Sequence, residues 1–214
     1  MRLGQRFATL VLWFLPPGLR EANPDVLRRA KLCVAYNLTV PLWGPGFALL
    51  LWAIGQPTIA TIIAVGVVVA VAPLFILRHT GSLVIVGNAM AALGAFLIVT
   101  CAWLEGGLGS PGAMWFPMVP LLAVVVAGRR SGIAWAVILV GALAVFFVLP
   151  QLGVRVDFPL HGAALDFLHL MLASSAVGCM LALGMLFESL KGDAMRSLEQ
   201  ANQALARARD DAQA

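Results

Sequence analysis

Six long apolar stretches, the first five each closed by a charged or Gly/Pro-rich turn, leave this chain little choice of fold. The hydrocarbon core of a bilayer takes roughly 20 apolar residues in a helix to cross. Stretches approaching or exceeding that length recur at about 27–54, 58–77, 82–104, 114–127, 133–149 and from 163 onward. Inside hydrocarbon every backbone N–H and C=O must be paired within the protein, and a helix does this within one segment. The expected fold class is therefore all-α: an integral membrane six-helix bundle with a cytoplasmic coiled-coil signalling helix. With 61% hydrophobic and 11% charged residues, the chain is far too apolar for a soluble domain. A net charge of +4 with no basic face interleaved with aromatics excludes a nucleic-acid partner.

Charge placement sets the expected topology. With both termini cytoplasmic, every Lys and Arg except Arg155 falls on the inner side, as the positive-inside rule requires, while Glu105, Asp157 and Asp166 fall outside. An odd number of crossings would put either the Arg28/Arg29/Lys31 cluster or Lys191 and Arg196 on the wrong face. Residues 1–26 are read as a cytoplasmic interfacial amphipathic helix and linker, since FATLVLWFL is too short to span and Pro16-Pro17 ends it. No signal-peptide cleavage site follows that run. Asn23 is expected to cap the first span with Pro24 at its first helical position. Pro41 and Pro45 should loosen the middle of that span. Residues 27–187 form the six-span domain, with membrane lipid as its surroundings and a bacterial inner membrane as the expected location. No inverted pair of broken helices appears, and spans 2 and 5 carry almost nothing polar at mid-depth, which argues against a small transporter.

The sixth span leaves the membrane with no turn signal. Phe187, Leu190, Ala194, Leu198, Ala201, Leu205, Ala208 and Ala212 follow at steps of three and four, a heptad seam from Ala194 on with a stutter before it. Residues 188–214 are expected to form a cytoplasmic coiled-coil helix that pairs two copies of the chain as a homodimer. Span 6 also carries Ser174, Gly178 and Ala182, and span 3 carries Gly87, Ala91 and Ala95, stripes of small residues that let helices approach closely.

Polar residues at membrane depth each need a reason. Asn37 and Asn88, on spans 1 and 3, lie at similar depth and are expected to act as helix glue, with a direct bond between them one option and a part in switching another. Glu105, Ser110, Trp115, Asp166 and His169 cluster at the outer ends of spans 3, 4 and 6. They fit an outward-facing, partly apolar pocket for a small ligand from the periplasmic side. Asp166 and His169, at i and i+3 on one helical face, fit equally a structural pair. A metal site built from Glu105, Asp166 and His169 is feasible in ligand type but unsupported by spacing, and no metal is expected. Haem would need facing histidines, and His79, His161 and His169 lie at unmatched depths. No cofactor is expected. Cys33, Cys101 and Cys179 stand alone in apolar segments and read as packing residues. No phosphate-binding loop, Ser-His-Asp set or H-E-x-x-H is present, so no catalytic residue is assigned.

The stretch EGGLGSPGAMWFPMVPLLAVVVAGRRSGIAW, residues 105–135, resembles the six-span sensor region of bacterial hybrid sensor histidine kinases. The acidic residue, Gly-rich loop, Ser-Pro, Trp, Pro-rich short span and Gly-Arg-Arg turn come in the same order. RRAKL at 28–32 looks like the family's entry to span 1. LEQANQALARARDDAQA is similar to the helix leading into the dimerisation helix of such kinases. The resemblance implies an input module that relays a ligand or membrane signal to a kinase core beyond residue 214, and through it to a response regulator. No phospho-acceptor motif occurs within the chain, so kinase activity is expected of a longer parent. Related six-span modules sit on nucleotidyl and diguanylate cyclases, which is the alternative reading.

Overall fold

In a computed structural model the chain is described at residues 3–154, 158, 160–163, 165–181, 184, 185 and 203. Among these residues it is helical with no strand. In order come α1 (Leu3–Phe14), α2 (Pro17–Arg20), α3 (Pro24–Ala53), α4 (Pro57–Val69), α5 (Ala72–Thr80), α6 (Leu83–Leu104), α7 (Met118–Val126), α8 (Arg129–Val148) and α9 (Leu165–Leu181). Four apolar rods among the described residues are long enough to cross a bilayer: Pro24–Ala53, Pro57–Thr80, Leu83–Leu104 and Arg129–Leu152. Two shorter ones, Pro111–Val126 and Leu165–Leu181, occupy the places of the fourth and sixth expected segments. These rods mark the chain as a membrane protein. Large side chains such as Leu42, Val68, Val137 and Leu170 point outward, as hydrocarbon surroundings allow and water would penalise. The coiled coil expected over 188–214 falls, but for residue 203, outside the described residues.

Local chemistry explains where the rods begin. Asn23 accepts a hydrogen bond from the Asp25 N–H at 3.0 Å and Pro24 opens α3, as expected. Ser82 caps α6 in the same way, accepting from the Ile85 N–H. Pro41 and Pro45 lie inside α3, which stays helical through both. Each lacks the N–H that would bond four residues back, so the carbonyls of Asn37 and Pro41 lose their usual helical donors.

Three expected boundaries are corrected. Span 2 is not one regular helix. It breaks at Ala70–Val71, where Val71 N–H bonds Val68 C=O and Leu74 N–H bonds Val71 C=O in tighter i,i+3 fashion. Pro73 causes this, since it has no N–H for the carbonyl of Val69 and its ring crowds that group. The fourth segment starts as a tight 3₁₀ turn at Pro111–Trp115 before α7 takes over, with Pro117 and Pro120 confined to the helix start. α8 begins at Arg129, four residues before the expected Ile133, because Gly128 at φ 105° turns the chain and its carbonyl accepts from Gly132.

Packing falls into three clusters. At one end α1 and α2 close over α3, α5 and α6 through Val11, Phe14, Leu15, Leu74 and Leu77. The Arg78 guanidinium lies 4.2 Å from the centre of the Trp13 ring. There too Arg29 donates twice to the carbonyl of Val126 (3.1 and 2.6 Å), closing the C-terminal end of α7. A second cluster joins α6, α7 and α8, with Gly87 of α6 pressed on Ala127. At the opposite end α3, α4, α6 and α9 meet through Leu51, Ile59, Cys101 and Leu168. The small-residue stripe of α6 is thus taken by α7, whereas Ser174 and Gly178 of α9 are exposed.

Candidate ligand site at the Glu105 end

α6 ends at Leu104, and Glu105 is the first residue beyond it. Two glycines in left-handed backbone, Gly106 at φ 96° and Gly107 at φ 80°, turn the chain back on the helix end. Ser110 then opens the 3₁₀ turn, its hydroxyl accepting from Gly112 N–H at 2.9 Å. The result is a closed loop around one carboxylate oxygen. Glu105 Oε2 accepts from the Ser110 hydroxyl and, at 2.9 Å, from Gly112 N–H. A side chain at 112 would put its Cβ 2.8 Å from that oxygen and push the Glu105 carboxylate off its two donors. Oε1 has no hydrogen-bond partner among the described residues.

Glu105 and Ser110 are only 5% and 3% exposed. Burial pushes the Glu105 carboxyl above its usual range, and the Ser110 hydroxyl, the Gly112 N–H and the His169 imidazole act in the opposite sense.

Trp115 closes the same loop. Its ring stacks on Trp43 of α3 at 5.9 Å between centroids and 22° between planes. Its Nε1–H is buried and has no partner among the described residues. A cavity of about 200 Å³ runs from here between α3, α4 and α6 to Asn37 and Met90 at the other end. Of the five residues expected to form a pocket, Glu105 and Trp115 line this cavity, while Ser110 stands behind Glu105 as its hydrogen-bond donor. His169 approaches Glu105 closely enough to favour its charged form, and its Nδ1 lies 3.1 Å from the Leu165 carbonyl. Asp166 is exposed and forms no ion pair with His169. α9 reaches the cavity instead through Leu172 and Ser175. Among the described residues no three His, Cys, Asp or Glu side chains converge as metal ligands.

Asn37 and Asn88 do not meet. Asn37 Nδ2 donates to the Cys33 carbonyl (2.8 Å) and to the Met90 sulfur (3.0 Å). Asn88 Nδ2 donates to the Val84 carbonyl (2.8 Å) and the Ser131 hydroxyl (3.1 Å), and its Oδ1 accepts from Trp135 Nε1 (2.9 Å). Residues 88 and 90 lie on opposite sides of α6, so the residue facing Asn37 is Met90 and Asn88 turns to α8. Ser131 and Trp135 were missed as its partners, although their i,i+4 spacing put both on one face of span 5.

No protein-family model and no solved structure matches the chain. It is 25% identical over 122 residues to "Hybrid signal transduction histidine kinase K" of Dictyostelium discoideum. That match takes in 56% of this chain and 10% of the relative, so the chain spans about a tenth of that protein's length. The relative is not bacterial, and the likeness is to a hybrid histidine kinase in general. The comparisons show that the chain is similar, across just over half its length, to part of a hybrid histidine kinase.

Proposed function

We propose that this chain is the membrane-embedded input module of a sensor histidine kinase. It crosses an inner cell membrane six times with both termini in the cytoplasm, residues 1–26 lying at the interface and 27–187 forming the sensor domain. Residues 188–214 continue the sixth span as a coiled coil that pairs two copies and leads into a kinase core. Glu105, Ser110, Trp115 and His169 form the outward ligand site, with Asp166 at its rim. Ligand binding favours one packing of the bundle over another, and the last helix carries that bias to the kinase and its response regulator. The single observation that carries the reading is the likeness to a hybrid histidine kinase over 56% of the chain. The cavity beside the Glu105 loop adds a place for a signal to act.

The test joins the chain, in helical register, to a soluble histidine kinase core and follows autophosphorylation in proteoliposomes. One residue inserted after Gly192 turns everything beyond it by about 100°, and seven restore the heptad phase. Output is expected to change several-fold with one inserted residue and to return with seven. Equal output from all three fusions would end the relay interpretation.

A further inference from the structure

The cavity between α3, α4 and α6 has unlike ends. Its wall along α6, from Met90 to Glu105, is about 22 Å long at a helical rise of about 1.5 Å per residue. At the Met90 end Asn37 Nδ2 is already bound to the Cys33 carbonyl and the Met90 sulfur, and Tyr36 shares the wall there. At the Glu105 end two groups await partners: the buried Trp115 Nε1–H and the free Oε1 of Glu105. A buried polar group left unpaired is costly, and the Trp115 Nε1–H is such a group among the described residues. Between the ends the walls are apolar, through Gly66, Leu93, Leu97 and Leu122, and no Lys, Arg or His lines them among the described residues.

We propose that the Glu105 end of this cavity binds a small uncharged alcohol with one short alkyl chain. Its hydroxyl sits between Trp115 and Glu105, and its chain runs along α6 towards Leu97. This rests on the reading of the cavity as the ligand site of an input module, and names the ligand's class. A hydroxyl oxygen accepts from the indole N–H while its own hydrogen goes to Oε1, so one group satisfies both. An alkyl carboxylate would bring a second acid to Glu105, and no Lys or Arg among the described residues lines the cavity to separate them. An alkylammonium has three donors and no acceptor for the indole. Size narrows the class further. A cavity of about 150 Å³ takes benzene, so one of about 200 Å³ takes roughly eight non-hydrogen atoms and excludes a two-chain lipid. Trp115 Nε1 is itself covered, so the hydroxyl reaches it only if the ring, stacked on Trp43 of α3, turns.

The experiment uses the whole chain in phosphatidylcholine nanodiscs and a diazirine-bearing octanol as photolabel. 1-Octanol, n-octane, octanoate and octylamine serve as competitors. Labelling is expected on cavity residues of α3 and α6 such as Trp43 and Leu97, with 1-octanol displacing it at least tenfold better than the other three. Trp115→Phe keeps the ring and removes the N–H, and should bring octanol down to parity with octane. Gly94→Leu, whose Cβ finds ordinary contact 3.5 Å from Val119, should fill the cavity and abolish labelling. Leu97→Phe serves the same end if that variant does not fold. Equal displacement by octane and octanol would reduce the site to an apolar void and overturn the proposal. So would preference for octylamine or octanoate, or displacement by added phospholipid alone. Octanol binding that leaves the kinase fusion's output unchanged would sink the sensing role and leave the site standing. A fusion that switches without octanol binding would do the reverse.

Discussion

α6 carries a polar cluster at each end, and the two are built on opposite plans. Around Asn88 every group has a partner: the amide donates to Val84 and Ser131 and accepts from Trp135, so the cluster fastens α6 to α8. Around Glu105, among the described residues, the carboxyl is gripped on one oxygen only, and the neighbouring Trp115 indole has no partner. The surroundings follow suit. Beside Asn88 the helices touch backbone to side chain, with a Cβ on Gly87 falling 2.8 Å from Ala127 Cβ and 2.9 Å from its N. Beside Glu105 the helices part around a cavity. A satisfied polar cluster in close packing acts as a fastening, while an unsatisfied one beside open space has the character of a binding site.

That contrast can be broken most forcefully at two glycines of one helix. Gly87→Val forces α6 off α7 and is expected to lower stability by about 3 kcal/mol, the upper end of ordinary overpacking. Gly94→Ala meets only Val119 at 3.5 Å, and is expected to raise stability by roughly 0.5 kcal/mol through its better helical propensity. Thermal unfolding in detergent reads both, and equal loss in the two variants would mean the packing is uniform along α6.

A finer comparison makes the same change in two indoles. Trp135→Phe strands the Asn88 carbonyl and is expected to cost about 1 kcal/mol, within the range for hydrogen bonds between membrane helices. Trp115→Phe removes a donor that has no partner among the described residues, and is expected to cost less than Trp135→Phe because only packing is lost. A matching loss in both would show that Trp115 is paired after all.

The smallest effect concerns pH, because the two donors on Oε2 and the nearby His169 offset part of the burial of Glu105. A carboxyl whose folded-state pKa lies above its ordinary 4.5 holds its proton more tightly folded than unfolded. Its share of stability is therefore complete below pH 4.5 and drains away as the pH rises through the raised value. Melting temperatures across that range should fall with pH in the parent chain and stay flatter in Glu105→Gln. Parallel curves would show that the carboxyl is not effectively buried.

The order of apolar rods was legible because hydropathy runs and turn residues act locally. Asn23-Pro24 announced the start of α3, and the Gly-rich loop announced the reversal after Glu105. The break in span 2 was legible in principle from Pro73, but its apolar neighbours hid it inside an unbroken run. What remained hidden depends on which way helices rotate about their axes. Asn37 faced Met90 and not Asn88, and Asp166 faced outward and not His169. Hydropathy gives depth along a rod and leaves its rotation open in spans this uniformly apolar, so partners at equal depth are easily mispaired. That Glu105 and Trp115 line one cavity was legible because a loop brings them together in sequence. The orphaned indole nitrogen had no sequence signal, since pairing is decided by the neighbours a side chain meets.

The prolines of α3 give the first helix a mechanical weak point at a telling height. A helix is stiff where its ladder is intact and compliant where rungs are missing. The rungs lost to Pro41 and Pro45 fall in the turns that carry Tyr36, Asn37, Val40 and Trp43, the same turns that wall the cavity. Below them Arg29 clamps the rod to α7. Whatever enters between α3 and α6 therefore pushes on the softest part of a lever whose foot is held.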